Sequence, residues 1–185
     1  MTKYGKDLTN MSNLDVKIQK TKLAKELEIQ CNIKWDLVQQ FPYDAGFDLR
    51  ACISRPLTLL PTGHTTIPSG LHFELGDSNW EIQIRSRSGL ADTLVISVLN
   101  SPGTIDFGYR KEVQIILYNC DMFNDFIIRP GDRIAQACFR EIPQVNFTYV
   151  NEISEKVEEK NISLAEEMKA KLLQKRGGFG STGVQ

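Results

Sequence analysis

The chain of 185 residues is long enough for one domain with a real core plus extensions, and too short to demand two domains. Its 22 Lys and Arg against 23 Asp and Glu leave a formal net charge of −1, with no basic excess, which argues against nucleic acid as the main partner and leaves room for a basic patch confined to an active site. No stretch reaches the continuous apolar length of a membrane span and the opening residues lack an apolar signal core, so the expectation is a soluble, intracellular, cytoplasmic protein with no membrane partner.

Residues 1–13 are polar and aperiodic and read as a disordered lead or an expression remnant. The first strand is expected over Leu14 to Ile18. From Thr21 to Gln40 two periods compete: Leu23, Leu27 and Cys31 have helical spacing, whereas Leu27, Ile29 and Cys31 alternate like a strand. From Phe41 onward short apolar alternations are punctuated by Pro and Gly. Phe47, Leu49 and Ala51 alternate, as do Leu71, Phe73 and Leu75, then Trp80, Ile82 and Ile84; the last strands are expected at Ile134 to Phe139 and Val145 to Tyr149. Many short strands at this spacing predict an all-β domain over residues 14–150, as a sandwich, jelly roll or closed barrel.

Within that domain, Asn100 to Asn119 reads as a β-hairpin. Leu94, Ile96 and Val98 feed its first arm at period two, and Val113, Ile115 and Leu117 alternate along its second. Pro102, Gly103 and Gly108 lie between. The two glycines are expected to adopt backbone angles that a side chain would forbid, leaving peptide groups in a slot able to read the edge of a planar base. Asp106 at its mouth is able to hold a water, and Tyr109 offers a flat apolar wall. Taken alone, Asp106 is an ordinary turn residue and Tyr109 an ordinary strand aromatic; company elsewhere in the chain lifts them above that.

Composition changes at about Asn151. Residues 151–175 are dense in Glu and Lys, and Ser163 with Glu166 forms a capping box, so a short charged helix is expected with Leu164, Met168 and Leu172 on one face. Residues 176–185 form a glycine-rich arm, expected to fray in the free protein; there Ser181, Thr182 and backbone N–H groups are suited to phosphate, and Phe179 to capping an aromatic base. Cys31, Cys52, Cys120 and Cys138 lack C-x-x-C spacing and have only His64 and His72 for company. They are a poor metal set and read as free thiols in a reducing compartment.

Five segments, in order, resemble the five motifs of the homotrimeric deoxyuridine triphosphatases (dUTPases): AGFDLRA at Ala45, RSRSGLA at Arg85, NSPGTIDFGY at Asn100, PGDRIAQACF at Pro130 and RGGFGSTG at Arg176. The likeness runs from about Phe41 to Phe147 and resumes at the C-terminus. It implies a distorted jelly-roll β-barrel that assembles as a homotrimer, with the arm closing over active sites shared between three subunits. It further implies Mg²⁺-dependent hydrolysis of dUTP to dUMP and pyrophosphate by water attack on the α-phosphorus, which keeps uracil out of DNA and supplies dUMP for thymidylate synthesis. Asp106 is then the group that orients and deprotonates the water. Asn100, Thr104, Ile105 and Gln114 face the base, Tyr109 packs under the deoxyribose, and Phe179 stacks on uracil. Arg87, Ser88, Gly89, Gln136, Arg176, Gly180, Ser181 and Thr182 neutralise the phosphates. Mg²⁺ is expected mainly on the triphosphate and waters, with Asp48 acting through water only, and Asp132 is expected to tie down the loop that places Arg133 and Gln136.

Three positions depart from the family pattern. Its fifth-motif Arg falls five residues before the stacking Phe, where this chain has Gln174; either Arg176 or Lys175 would reach the γ-phosphate from a shortened arm. Lys111 stands where the third motif carries Gly, and Asp44 where the first commonly has Ser. The rivals are a deoxycytidine triphosphate deaminase, which shares the fold and uses a Glu on the base, and a nucleotide-binding regulator with little turnover.

Overall fold

A computed structural model describes residues 13–153. The lead over residues 1–12, the helix expected within 151–175 from Ser163 onward and the arm at 176–185 lie outside the described residues. The chain divides into two compact units after Gln144.

The first unit begins with β1 (Val16–Lys20) and α1 (Lys22–Gln30). Helical spacing prevails over the strand alternation because Thr21 caps the turn: its hydroxyl accepts the Ala24 N–H at 3.2 Å. Ala24 and Leu27 are buried, whereas Ile29, which a strand would have shared with Leu27, is 84% exposed. The helix ends at Cys31, and Asn32 turns the chain at φ 51°.

Ten further strands follow: β2 (Phe47–Arg50), β3 (Leu57–Leu59), β4 (His64–Pro68), β5 (Leu71–Leu75), β6 (Trp80–Arg85), β7 (Ile96–Val98), β8 (Gly103–Ile105), β9 (Gln114–Asn119), β10 (Phe126–Ile128) and β11 (Arg133–Glu141). Between β6 and β7 lies a helix, α2 (Ser88–Leu94). They form a four-stranded sheet ordered β2-β11-β6-β8, a three-stranded sheet β4-β9-β7, and the pairs β1-β5 and β3-β10. The alternating residues close the core: Leu49, Ile67, Ile82, Ile115 and Leu117 are fully buried, each worth roughly 1.5–3 kcal/mol relative to exposure. Asn119, a buried polar residue, is satisfied by donating to the carbonyls of Leu59 and Asn124 and accepting the Asp121 N–H.

Four local expectations need correction. The first strand starts two residues later than Leu14, because Val16 to Lys20 are the residues that find partners on β5. Leu94 closes α2 instead of feeding β7; Val95 then takes a left-handed conformation at φ 55°, and the strand starts at Ile96. Neither Gly103 nor Gly108 has positive φ. Gly103 instead lies close to a side chain, since a Cβ there would sit 3.1 Å from Asn100 Nδ2 and the amide would have to shift by a few tenths of an ångström, while Gly108 faces nothing within 4 Å. Finally, Val145 to Tyr149 form no strand. In that unit Val145, Phe147 and Tyr149 are 60%, 81% and 96% exposed, so the alternation buries nothing.

Candidate active site

β11 lies between β2 and β6, and this puts three distant segments side by side. Gln136 pairs with Asp48 on one flank and with Arg85 on the other. Where these strands end, a groove of about 540 Å³ opens, lined by Gly46, Asp48, Arg87, Ser88, Gly89 and Gln136 among others. Ser88 and Gly89 open α2, so their N–H groups have no partner within the helix.

Asp48 organises the charge. Its Oδ1 accepts from Arg87 Nε at 2.8 Å and its Oδ2 lies 3.2 Å from Arg133 Nη1. Arg87 Nη1 also donates to the Arg133 carbonyl at 3.0 Å, and Arg50 donates to the Gly131 carbonyl at 2.8 Å. Burial, then the nearby charge of Arg133, pulls Arg50 below the usual guanidinium range. Three guanidiniums around one carboxylate leave a local cationic surplus in a chain whose net charge is −1. Asp132 accepts the Arg129 N–H at 2.7 Å through its side chain, and its carbonyl accepts the Ala51 N–H, which ties down the turn before Arg133.

Gln136 projects beside Gly46. Its Nε2 donates to the Ser86 carbonyl at 2.8 Å, and a Cβ on Gly46 would stand 2.0 Å from its Oε1. The Ser86 hydroxyl in turn accepts the Val98 N–H at 2.8 Å, so the loop carrying Arg87 is tied to the foot of the hairpin.

The hairpin forms between β7 and β9, with Val98 opposite Leu117. Its tip makes an excursion that the local alternation does not reveal: β8 leaves for the other sheet and pairs with β6, Ile105 opposite Ile82 and Gly103 opposite Ile84. Asn100, Thr104, Asp106 and Gln114 are exposed, Tyr109 is half-buried, and the Ile105 side chain faces the core, so only its backbone is free for a ligand. The Tyr109 N–H donates to the Asp106 carbonyl at 3.0 Å and closes the tip, and the Tyr109 hydroxyl donates to the Glu112 carbonyl at 3.0 Å.

None of these hairpin residues lines the groove. Because β6 and β8 are antiparallel, Asp106 follows the Ile82 end while Arg85 to Arg87 follow the opposite end, a separation of roughly 10 Å or more at 3.3 Å per residue. One chain therefore assembles Asp48, Arg87, Ser88, Gly89 and Gln136 into one polar groove, and Asp106 and Tyr109 onto one tip, without joining them. Phe179, Arg176, Gly180, Ser181 and Thr182 lie outside the described residues. Sequence reasoning missed Gln40, Phe41 and Asp44 in the groove lining, Arg50 near Asp48, and Ser86 and Glu112 as ties; only the fold brings them there.

Among the described residues no three His, Cys, Asp or Glu side chains are grouped to hold a metal ion, and no helix is long and apolar enough to cross a membrane. The Asp48 carboxylate is occupied by two arginines, so this donor set does not suit a metal bound directly by protein. It suits a cation carried on phosphate oxygens.

A family model described as dUTPase matches residues 34–183. The deoxyuridine 5'-triphosphate nucleotidohydrolase of Chlamydia pneumoniae is 44% identical over 145 residues, covering 77% of this chain and 87% of that protein. The enzyme of the same name from Anaplasma marginale (strain St. Maries) is 40% identical over 143 residues, covering 77% and 85%. Among solved structures, a mutant dUTPase from phage phi11 of S. aureus superposes with a TM-score of 0.60 at 18% identity, covering 76% of this chain and 97% of that one. The native EIAV dUTPase gives 0.57 at 19%, covering 77% and 100%. At these identities the structural likeness is one of fold, and the fold is the distorted jelly roll expected from the motifs.

Proposed function

The chain belongs to the dUTPase family, and from that premise we propose that it hydrolyses dUTP to dUMP and pyrophosphate, keeping uracil out of DNA and supplying dUMP. The observation that carries this reading is the groove. Residues from three separate motifs meet there: Arg85 and Arg87 line the groove, and Arg133 pairs with its Asp48, donors of the kind a triphosphate requires. Arg87 offers its remaining donors to phosphate oxygens while Asp48 fixes its plane. Ser88 and Gly89 present unpaired N–H groups, Gln136 adds an amide, and Arg176, Gly180, Ser181 and Thr182 are assigned to the phosphates from the arm.

Asp106 accepts a proton from the attacking water as the water's oxygen bonds to the α-phosphorus; the bond from that phosphorus to its bridging oxygen breaks, and pyrophosphate leaves with the electron pair. The backbone of the hairpin tip, with Asn100, Thr104 and Gln114, reads the uracil edge. Tyr109 packs under the deoxyribose and Phe179 covers the base, so a ribose hydroxyl or a mismatched donor meets no space or no partner. Since groove and tip point to different places in one chain, each site is completed by neighbouring copies, as a homotrimer with C₃ symmetry provides. Mg²⁺ would be held mainly by the triphosphate oxygens and would supply charge neutralisation there, with Asp48 acting on it through water only. The phi11 enzyme is itself described as coordinating a structural Mg(II) ion.

Pyrophosphate release from dUTP, dCTP, dTTP and UTP with Mg²⁺, for the wild type and Asp106→Ala, tests the reading. Turnover confined to dUTP, falling by about 10²-fold or more in the variant, is the expected result. Ammonia from dCTP, or tight dUTP binding without turnover, would overturn it in favour of a deaminase or a regulator.

A further inference from the structure

The family match begins at residue 34, leaving β1 and α1 outside it. This N-terminal segment, together with Trp35 just inside the match, is fastened to one corner of the domain, Ser69 to Leu71. Trp35, only 2% exposed, donates from Nε1 to the Ser69 carbonyl at 2.8 Å, and the Thr21 N–H donates to the Gly70 carbonyl at 2.8 Å. Gly70 has φ +77°, and a Cβ there would stand 2.8 Å from Ala24 Cβ and 2.9 Å from both Cys52 Sγ and Trp35 Nε1. The corner is thus held in a left-handed conformation against α1 and Trp35, with no room for a side chain.

The same corner carries the base of the hairpin tip. The Gly70 N–H donates to Glu112 Oε1 at 2.7 Å, the Ser69 N–H donates to the Val113 carbonyl at 3.0 Å, and the Val113 N–H donates to the Leu71 carbonyl at 2.9 Å. Glu112 is in turn the residue whose carbonyl accepts the Tyr109 hydroxyl. On the far side, Glu28 Oε1 accepts the Trp35 N–H at 2.7 Å and pairs with Lys20 at 2.7 Å, and Lys20 also reaches Asp36 at 2.7 Å. An unbroken path of hydrogen bonds and packing runs from Lys20 through Glu28, Trp35 and Gly70 to Glu112 and the Tyr109 side chain.

We propose that the segment from β1 to Trp35 is a brace that sets sugar selectivity, with Trp35 and Glu112 acting as positioning residues for Tyr109. The inference rests on Tyr109 packing under the deoxyribose, as above. A ring held at both its backbone and its hydroxyl discriminates against one extra oxygen because it cannot yield, whereas a ring freed at Glu112 yields.

The test compares kcat/KM for dUTP and UTP in the full chain, with the thermal midpoint measured alongside. Trp35→Phe removes the Nε1 donor and keeps most of the ring, Glu112→Ala removes the acceptor for Gly70, and Glu112→Gln keeps an acceptor oxygen. Trp35→Phe and Glu112→Ala should each lower the dUTP preference by about fivefold or more, the scale of one lost hydrogen bond, with KM for dUTP rising more than kcat falls. Glu112→Gln should restore the preference. Folded variants with the wild-type preference, even at a lower thermal midpoint, would overturn the brace; should Glu112→Ala not fold, the ratio in Trp35→Phe decides. Tyr109→Leu separates the two premises. If it leaves the preference intact, the sugar reading itself falls; if it abolishes the preference while the brace variants do not, only the brace falls.

Discussion

Replacing Gly46 by Ala perturbs a groove residue without touching any charge. The new Cβ would stand 2.0 Å from Gln136 Oε1, 2.9 Å from its Cδ and 3.4 Å from its Cβ. Contact between a carbon and an oxygen requires about 3 Å or more, so the amide must swing away by roughly 1 Å or rotate about its last bonds. Gln136 then loses its 2.8 Å hydrogen bond to the Ser86 carbonyl. That bond is worth about 0.5–1.5 kcal/mol, or a fall of a few degrees in thermal midpoint for a chain of this size. The amide also leaves the position assigned to a phosphate contact, where a charge-assisted hydrogen bond contributes about 1.5–3 kcal/mol, so KM for dUTP should rise by about tenfold or more. Steady-state pyrophosphate release with a coupled assay gives the KM, and differential scanning calorimetry gives the midpoint. A variant with wild-type KM and midpoint would refute the placement of Gln136 against Gly46.

Gly89→Ala is the contrasting case, since nothing lies within 4 Å of its Cβ and it occupies an exposed position in α2; the thermal midpoint should stay level or rise, by up to about 1 kcal/mol of added stability. A marked drop in midpoint would show the helix start to be more crowded than described. Acid should loosen the N-terminal brace. The hydrogen bond from Lys20, then the Trp35 N–H, holds Glu28 below its ordinary value of 4.5, and the hydrogen bond from Lys20 holds Asp36 below 3.8. Both carboxylates bind protons more readily unfolded than folded, so their contribution is complete above those ordinary values and is lost as the pH falls through the lowered ones. Urea midpoints measured from about pH 7 down to about pH 3 should therefore decline at the acid end, and less steeply in Glu28→Gln; parallel curves for the two proteins would contradict the assignment.

The sheet residues were legible because apolar alternation is a local signal: Leu71, Phe73 and Leu75 or Trp80, Ile82 and Ile84 need no knowledge of their partners. Partners are what the alternation cannot supply. Ile105 on β8 looks like the far end of a hairpin arm, yet it pairs with Ile82 because β6 offers a free edge there. Leu94 and Val145 to Tyr149 fit a period of two equally well and form no strand, one absorbed by a helix, the other without buried neighbours. In α1 the deciding feature was polar: the Thr21 hydroxyl at the helix start settles a choice that the apolar spacing left open. At the site, motif residues nominated the groups to which the chemistry is assigned. They did not reveal that Asp48, 39 residues from Arg87 and 85 from Arg133, serves both as an ion-pair partner. Such pairs arise from strand order, as does the distance between Asp106 and the groove.

That distance calls for a site shared between copies of the chain, and mixing two inactive chains shows whether it is shared. Asp106→Ala keeps an intact groove and loses the tip carboxylate; Arg87→Ala keeps the tip and loses the groove. Unfolded together in equal amounts and refolded, they should form mixed trimers in which about a quarter of the sites combine an intact groove from one copy with an intact tip from its neighbour. The mixture should recover close to that fraction of wild-type dUTP turnover while each variant refolded alone stays inactive. Mixed trimers that form, yet turn over dUTP no faster than either parent, would place groove and tip of one site in a single chain and rule out a shared site.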